Sequence, residues 1–516
     1  MKTLTATQTS LVLRQMTEDQ KRELSQAFLS FIETASVGTA RASFYNTQAE
    51  QVQAIDLSHQ KLLNVDRSIY GMSLLLPGFT DYTKQLGVVK FLGNHRMDAI
   101  FLDESQEKRI IQRLLGQLSV PRKLKLFAWL KKEKINNART RKLILNSILS
   151  EKHLERWVSK YKTKIATTLE HAWGKRMCSI IKAILSKPAS KLSLKEKNIL
   201  KVNVLKYSPQ NYTHIVLECV SFALSVERVY NLPLLKSYQE AKSDLMKGSK
   251  LSFEVLEGIR STYHPESTTA QVLELTKKQL TKGQKIAFQA QATKAQVDIT
   301  FNPKNYDCIR LYIYAFKQGL TDDITEVLAE NAAKTARGLP LQFEKVGILL
   351  DTSLSMQGSE TQWMRPMAIS LAIRDVIRAA SEETILVGCG DANIANKTLV
   401  ETQGDTSLAQ GLLELMEAEV DTIFILSDGY ENSPAGRVNE VMQLSKKIGV
   451  NIPVLQVTPV LAAEAGGIRK LSDAIGTIPI SQVNGLGVNL LKSMFEVDVE
   501  QGIEALFNTT MPLINQ

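Results

Sequence analysis

The apolar run Val346-Gly-Ile-Leu-Leu350 leads directly into Asp351-Thr-Ser-Leu-Ser355. A buried strand ending this way delivers one carboxylate and two hydroxyls to the carboxyl edge of a sheet, where open α/β sheets place their ligands. The flanking sequence supplies such a sheet. Strand candidates are Val346–Leu350, Thr384–Val387, Lys397–Val400, Thr422–Leu426, Ile452–Val457 and Ile478–Ile480. Helical stretches lie between and after them at Met367–Ala380, Leu408–Ala418, Val438–Ile448, Ile468–Ile475 and near Val499–Phe507. Strands alternating with helices of about 10–15 residues predict a parallel, doubly wound α/β sheet. Asn396-Lys-Thr-Leu399 is expected to be a short antiparallel edge strand. Met367–Ala380 is apolar apart from Ser370, Arg374, Asp375 and Arg378, as a helix packed on a sheet face should be.

Two further oxygen donors follow in order. Thr406 lies in Gly404-Asp-Thr-Ser-Leu408, a loop that opens a helix, and Asp428 ends the strand Phe424-Ile-Leu-Ser-Asp-Gly429. Carboxylates and hydroxyls are hard ligands and suit Mg²⁺ or Mn²⁺. The ordered set resembles the metal-ion-dependent adhesion site of von Willebrand factor A (vWA) domains over residues 345–516. That resemblance implies that Ser353, Ser355 and Thr406 hold the metal directly and that Asp351 and Asp428 act largely through water. With only two carboxylates among five donors, the metal would keep an exchangeable position, open to an acidic side chain of a protein ligand. The six histidines all precede this region, and no cysteine stands near the donors in sequence. Glu401 and Glu431 fall in loops that read as solvated. The set predicts recognition without catalysis.

Charge is distributed unevenly. Residues 345–516 hold 11 Lys+Arg and 21 Asp+Glu, whereas Pro121–Lys206 holds 23 basic and 5 acidic residues, a net of +18. In that belt cations interleave with aromatics: Arg122, Lys123, Lys131 and Lys132 around Phe127 and Trp129; then Arg139, Arg141 and Lys142; then Lys160 and Lys164 around Tyr161, after Trp157; then Lys175 and Arg176 after Trp173. Arg139/Lys142 and Lys160/Lys164, three and four residues apart, are expected to share helix faces. A single lysine run is often only a solvated surface, but this concentration favours a polyanion, with phosphates held by cations and an unpaired base stacked on Trp or Tyr.

Up to residue 340 the pattern is otherwise helical, with three- and four-residue apolar spacing in Ile110–Leu118, Leu124–Leu130, Leu143–Leu149, Ile180–Leu185, Ile215–Leu224 and Val272–Leu280. Short amphipathic helices with few breaks suggest HEAT-like stacking, although no fixed-period repeat is evident. The expected organisation is therefore multidomain: an all-α, basic body over 1–340 and an α/β domain over 341–516.

Four scattered cysteines without C-x-x-C spacing predict neither a zinc site nor a disulfide framework and fit a reducing cytoplasm. No signal-length or membrane-length apolar run occurs, so a soluble, cytoplasmic protein without a membrane partner is expected. A helical basic body followed by a vWA-like domain resembles the Ro autoantigen family, whose helical part is the TROVE module. That resemblance implies a ribonucleoprotein that binds small noncoding or misfolded RNA. The competing reading is an adaptor whose metal site docks on a partner such as a MoxR-type ATPase. Without a Walker A glycine loop, any ATPase would be a separate chain.

Overall fold

The computed structural model describes residues 16–37, 40, 47–76, 79–93, 102–337, 343–389, 394, 396–404, 407–431, 434–459, 469–480, 492, 495 and 498–515. The chain divides into two compact units. The first comprises Met1–Gly87, Arg96–Gly116 and Asn302–Gln516; the second comprises Val88–His95 and Gln117–Phe301. No described helix is long and apolar enough to cross a membrane.

Up to Ala336 the regular elements among the described residues are all helices. They include α1 (Glu18–Val37), α2 (Val120–Lys132), α3 (Ala138–Leu149), α4 (Leu154–Trp173), α5 (Lys175–Leu185), α6 (Cys308–Gln318) and α7 (Asp322–Ala336). Among the described residues there follow β1 (Phe343–Leu350), α8 (Arg365–Ala379), β2 (Ser381–Gly388), α9 (Leu408–Glu417), β3 (Thr422–Leu426), α10 (Arg437–Lys447), β4 (Val454–Thr458), β5 (Gly476–Pro479) and α11 (Val499–Asn515).

In the second unit, α2, α3 and α5 each pack against α4. Leu124, Phe127 and Leu130 of α2 recur at helical spacing and are buried, as are Ile144, Leu145 and Ile148 of α3 and Ile165 and Leu169 of α4. Polar residues set the ends. The side chain of Asn137 accepts the Thr140 N–H at 2.9 Å and so caps α3. Within α4, Tyr161 leaves the helical region (φ −123°, ψ 33°) and kinks the helix.

The first unit contains the sheet, ordered β2-β1-β3-β4-β5 and parallel throughout. The connection after β1 runs to β2 and the one after β3 runs the other way to β4, which makes the β1/β3 crevice the topological switch point of the doubly wound arrangement. One face is covered by α9, where Leu408, Leu412 and Leu415 pack with Leu349, Ile423 and Ile425. Gly411 permits the close approach, because a Cβ there would stand 2.5 Å from Leu349 Cδ1. α8 packs against β1, β2, α6 and α7. It is therefore enclosed almost all round, and even Arg374 is 1% exposed.

Two predicted elements are absent. Lys397–Val400 is not a strand, and β2 forms that edge of the sheet. The carbonyls of Lys397 and Thr398 accept instead from Arg374, at 2.8 and 3.0 Å. Residues 469–475 are not helical, whereas Ile468 lies outside the described residues. The carbonyl of Arg469 and the N–H of Leu471 are taken by the buried Gln456 side chain, each at 2.9 Å, which replaces helical hydrogen bonding there.

The N-terminal helix belongs to the same unit as the sheet because it packs on the end of the chain. Phe28 of α1 stacks on Phe495 with centroids 3.7 Å apart. Lys21 pairs with Glu500 and Lys492 with Glu33, each at 2.8 Å.

Candidate functional site

β1 and β3 bring the two aspartates to the same edge. Asp351 continues β1, its N–H donating to the Leu426 carbonyl at 3.0 Å, and its side chain is fully buried. Its Oδ1 accepts the Ser353 N–H at 2.9 Å and its Oδ2 accepts the Ser427 hydroxyl at 2.6 Å. Ser353 and Ser355 place their hydroxyls 3.0 Å apart, Ser353 buried and Ser355 exposed. Asp428 is half-buried and accepts the Tyr430 N–H at 3.2 Å. Thr406 lies outside the described residues, while its neighbour Ser407 donates its N–H to Cys389 Sγ at 3.0 Å.

The electrostatics of this edge suit a cation. Burial pushes the Asp428 carboxyl up to about 6; the charge of Asp351 adds to the shift and a hydrogen bond from Ser355 opposes it. Asp351 is likewise pushed up by burial. Two desolvated carboxylates beside paired hydroxyls form a set of hard donors that a divalent ion would complete. No group of three or more His, Cys, Asp or Glu side chains poised for a metal occurs among the described residues. A cation here would therefore rest on Ser353, Ser355 and the two aspartates. Both oxygens of Asp351 already accept hydrogen bonds, which favours its acting through water.

Ser427 is absent from the predicted donors, although it stands beside Asp428 at the strand end where inward-facing residues gather. Gly429 (φ +85°) is required at the next position, since a Cβ would lie 2.7 Å from the Arg469 carbonyl. The Arg469 guanidinium lies 3.6 Å over the Tyr430 ring, placing an arginine near the acidic edge. Glu431 accepts the Val438 N–H at 3.1 Å and so caps α10, while Glu401 is exposed.

The predicted phosphate-binding cations all fall in the second unit. Lys131, Lys132, Arg141, Lys142, Lys164, Lys175 and Arg176 are exposed, and Arg122, Lys123, Arg139 and Lys160 are half-buried. Lys160 pairs with Glu254 at 2.9 Å. Lys164 lines a cavity between α2 and α4, whereas Lys160, before the kink at Tyr161, is engaged by Glu254. Lys123 stands 5.6 Å over Trp157, which is 6% exposed and belongs to the core. Trp129 and Trp173 are half-buried, with their indole N–H groups donating to Glu133 and to the Asn203 carbonyl. Burial lowers the His171 pKa, and Lys131 and Arg141 lower it further, which places both cations near that ring.

Together these features define a helical protein with a doubly wound parallel α/β domain whose oxygen-rich edge lies at the switch point. No family model and no curated protein matches the chain. Among solved structures it is similar to the Ro (RSR) protein of Deinococcus radiodurans, at 14% identity over 92% of this chain and 99% of that one, with a TM-score of 0.41.

Proposed function

We propose that the protein is a Ro-like RNA-binding protein in which the cationic surface of the second unit takes structured or small noncoding RNA. The carrying observation is the imbalance of charge on that surface. Lys131, Lys132, Lys142, Lys164, Lys175 and Arg176 are exposed and form no ion pair among the described residues. A folded surface that gathers like charges with few acids among them gains most from a polyanion, which replaces many condensed counterions at once. Phosphate contacts would supply affinity, and shape or unpaired bases would supply selectivity.

In the same reading the β1/β3 edge holds Mg²⁺ or Mn²⁺ on Ser353, Ser355, Asp351 and Asp428, with Thr406 as a further ligand. The cation grips an acidic side chain of a partner and performs no catalytic step. An adaptor that docks on an ATPase would use that edge equally well, but it has no need of the cationic surface.

The test is the 260/280 absorbance ratio of protein purified at low salt, followed by filter binding to structured RNA over a range of salt. Co-purifying nucleic acid and an affinity that falls steeply with salt support the proposal. Indifference to RNA at low ionic strength would leave the adaptor reading in its place.

A further inference from the structure

Between α2 and α4 of the second unit lies a cavity of about 470 Å³, within the ~300–1,000 Å³ of small-molecule sites. Its floor is apolar: Leu124 and Phe127 close it from beneath, and Pro121 and Ala128 stand exposed on its wall. Its rim is cationic, with Arg122, Lys125 and Lys131 from α2 facing Lys164 from α4. No acidic residue lines it. Thr163 and Thr167 add hydroxyls, while the Thr168 hydroxyl is committed to the Lys164 carbonyl at 2.7 Å.

These properties select a class of ligand. Four cations without a carboxylate repel metal ions and basic peptides. An apolar floor is wasted on inorganic phosphate alone. A flat, weakly polar ring carrying a phosphate satisfies both halves, with the ring on the floor and the oxyanion on the rim. Lys132 of α2 and Arg141 and Lys142 of α3 are exposed as well, which suits a ligand that is itself a chain of phosphates. A phosphopeptide would bring one dianion and leave those charges unmatched.

We infer that this cavity receives one unpaired nucleotide of a bound RNA, with its base on the apolar floor against the Ala128 wall and its phosphate among Arg122, Lys125, Lys131 and Lys164. The inference rests on the RNA-binding proposal and adds to it a single-nucleotide subsite.

The test uses the full chain, a labelled single-stranded oligouridylate and a blunt RNA duplex, followed by anisotropy. Ala128→Trp fills the hollow without altering charge, at an exposed helical position. Single-strand affinity should fall ~10-fold while duplex affinity stays within about twofold. Crosslinking with a 4-thiouridine oligonucleotide, mapped to peptides of α2 and α4, gives an answer on the wild-type protein even if the variant does not fold. Unchanged single-strand binding by a folded variant, or crosslinks confined to other segments, would overturn the subsite and leave RNA binding intact. A wild-type protein that binds neither RNA sinks both. Displacement of the oligonucleotide by a phosphopeptide but not by uridine monophosphate would assign the cavity to a protein partner and overturn the inference.

Discussion

The guanidinium of Arg374 and the phenol of Tyr312 meet at 3.2 Å in the interior of the first unit. Both engage Asp375: Arg374 Nε donates to Oδ1 at 2.9 Å and the Tyr312 hydroxyl donates to Oδ2. The remaining guanidinium hydrogen bonds reach the Lys397 and Thr398 carbonyls. One buried arginine thus ties α6 to α8 and to the segment beside the sheet. Burial and the Asp375 charge push the Tyr312 hydroxyl well above its ordinary pKa, so it stays a donor.

Arg374→Met is expected to destabilise the protein by about 3–5 kcal/mol, because it leaves Asp375, Tyr312 and two carbonyls without their shared donor. Urea unfolding measures this. Arg374→Lys should recover only part of the loss, since a single ammonium lacks the planar fork that reaches four acceptors.

Mg²⁺ at about 100 Kd should raise unfolding free energy by ~2.7 kcal/mol through binding to the native state alone. Thermal melts with and without EDTA test this. Asp351→Asn and Ser353→Ala should remove the shift while leaving RNA affinity unchanged. Loss of RNA binding in a folded Asp351→Asn protein would contradict the proposed division of labour.

Charge reversal of Arg139, Arg141 and Lys142 to Glu should weaken RNA binding and flatten its salt dependence. For every phosphate no longer neutralised, the slope of log K against log salt becomes shallower by ~0.7–0.9. Filter binding across a salt series reads both effects. An unchanged slope would place the RNA elsewhere.

Asp66 caps the helix Arg67–Ser73 by accepting the Ile69 N–H at 2.7 Å, and burial pushes its carboxyl up to about 6 from 3.8. The folded state therefore holds that proton more tightly than the unfolded chain. The resulting stabilisation is fully present below about 3.8 and disappears as pH rises through about 6. Asp66→Asn keeps the capping oxygen and cannot titrate. The unfolding free energy of wild type relative to this variant should fall between about pH 4 and pH 7, and a flat difference would refute the assignment.

Phe28→Ala should cost about 3–5 kcal/mol, because it opens a cavity against Phe495 where α1 meets the end of the chain. Gly502→Leu should have a related effect, since even a Cβ at Gly502 would stand 2.5 Å from Phe495 Cδ2. Both are read by chemical unfolding.

Local patterning carried much of the α/β region. β3 spans Thr422–Leu426 as predicted, and β1, β2, β4 and β5 overlap their predicted runs; the central β1 and β3, buried on both faces, read as continuous apolar stretches. The positions of Asp351 and Asp428 at strand ends followed from those runs. Lys397–Val400 misled because its Thr-Leu-Val run reads locally as a strand, whereas the Lys397 and Thr398 carbonyls are claimed by an arginine 23 and 24 residues away in sequence. The helix predicted over Ile468–Ile475 failed for a similar reason, since Gln456 sits on another strand.

Residue order alone therefore determined the strand and helix periods, the acid and hydroxyls at the end of β1, and the concentration of cations between Pro121 and Lys206. These depend on neighbours a few positions apart, whose spacing is visible in one dimension. Only the folded chain decided that Ser427 holds Asp351, that α1 stacks on Phe495, and that a kink at Tyr161 adjoins a cation-rimmed hollow. Such outcomes arise where distant segments compete for the same donors and volume, and packing in three dimensions resolves that competition.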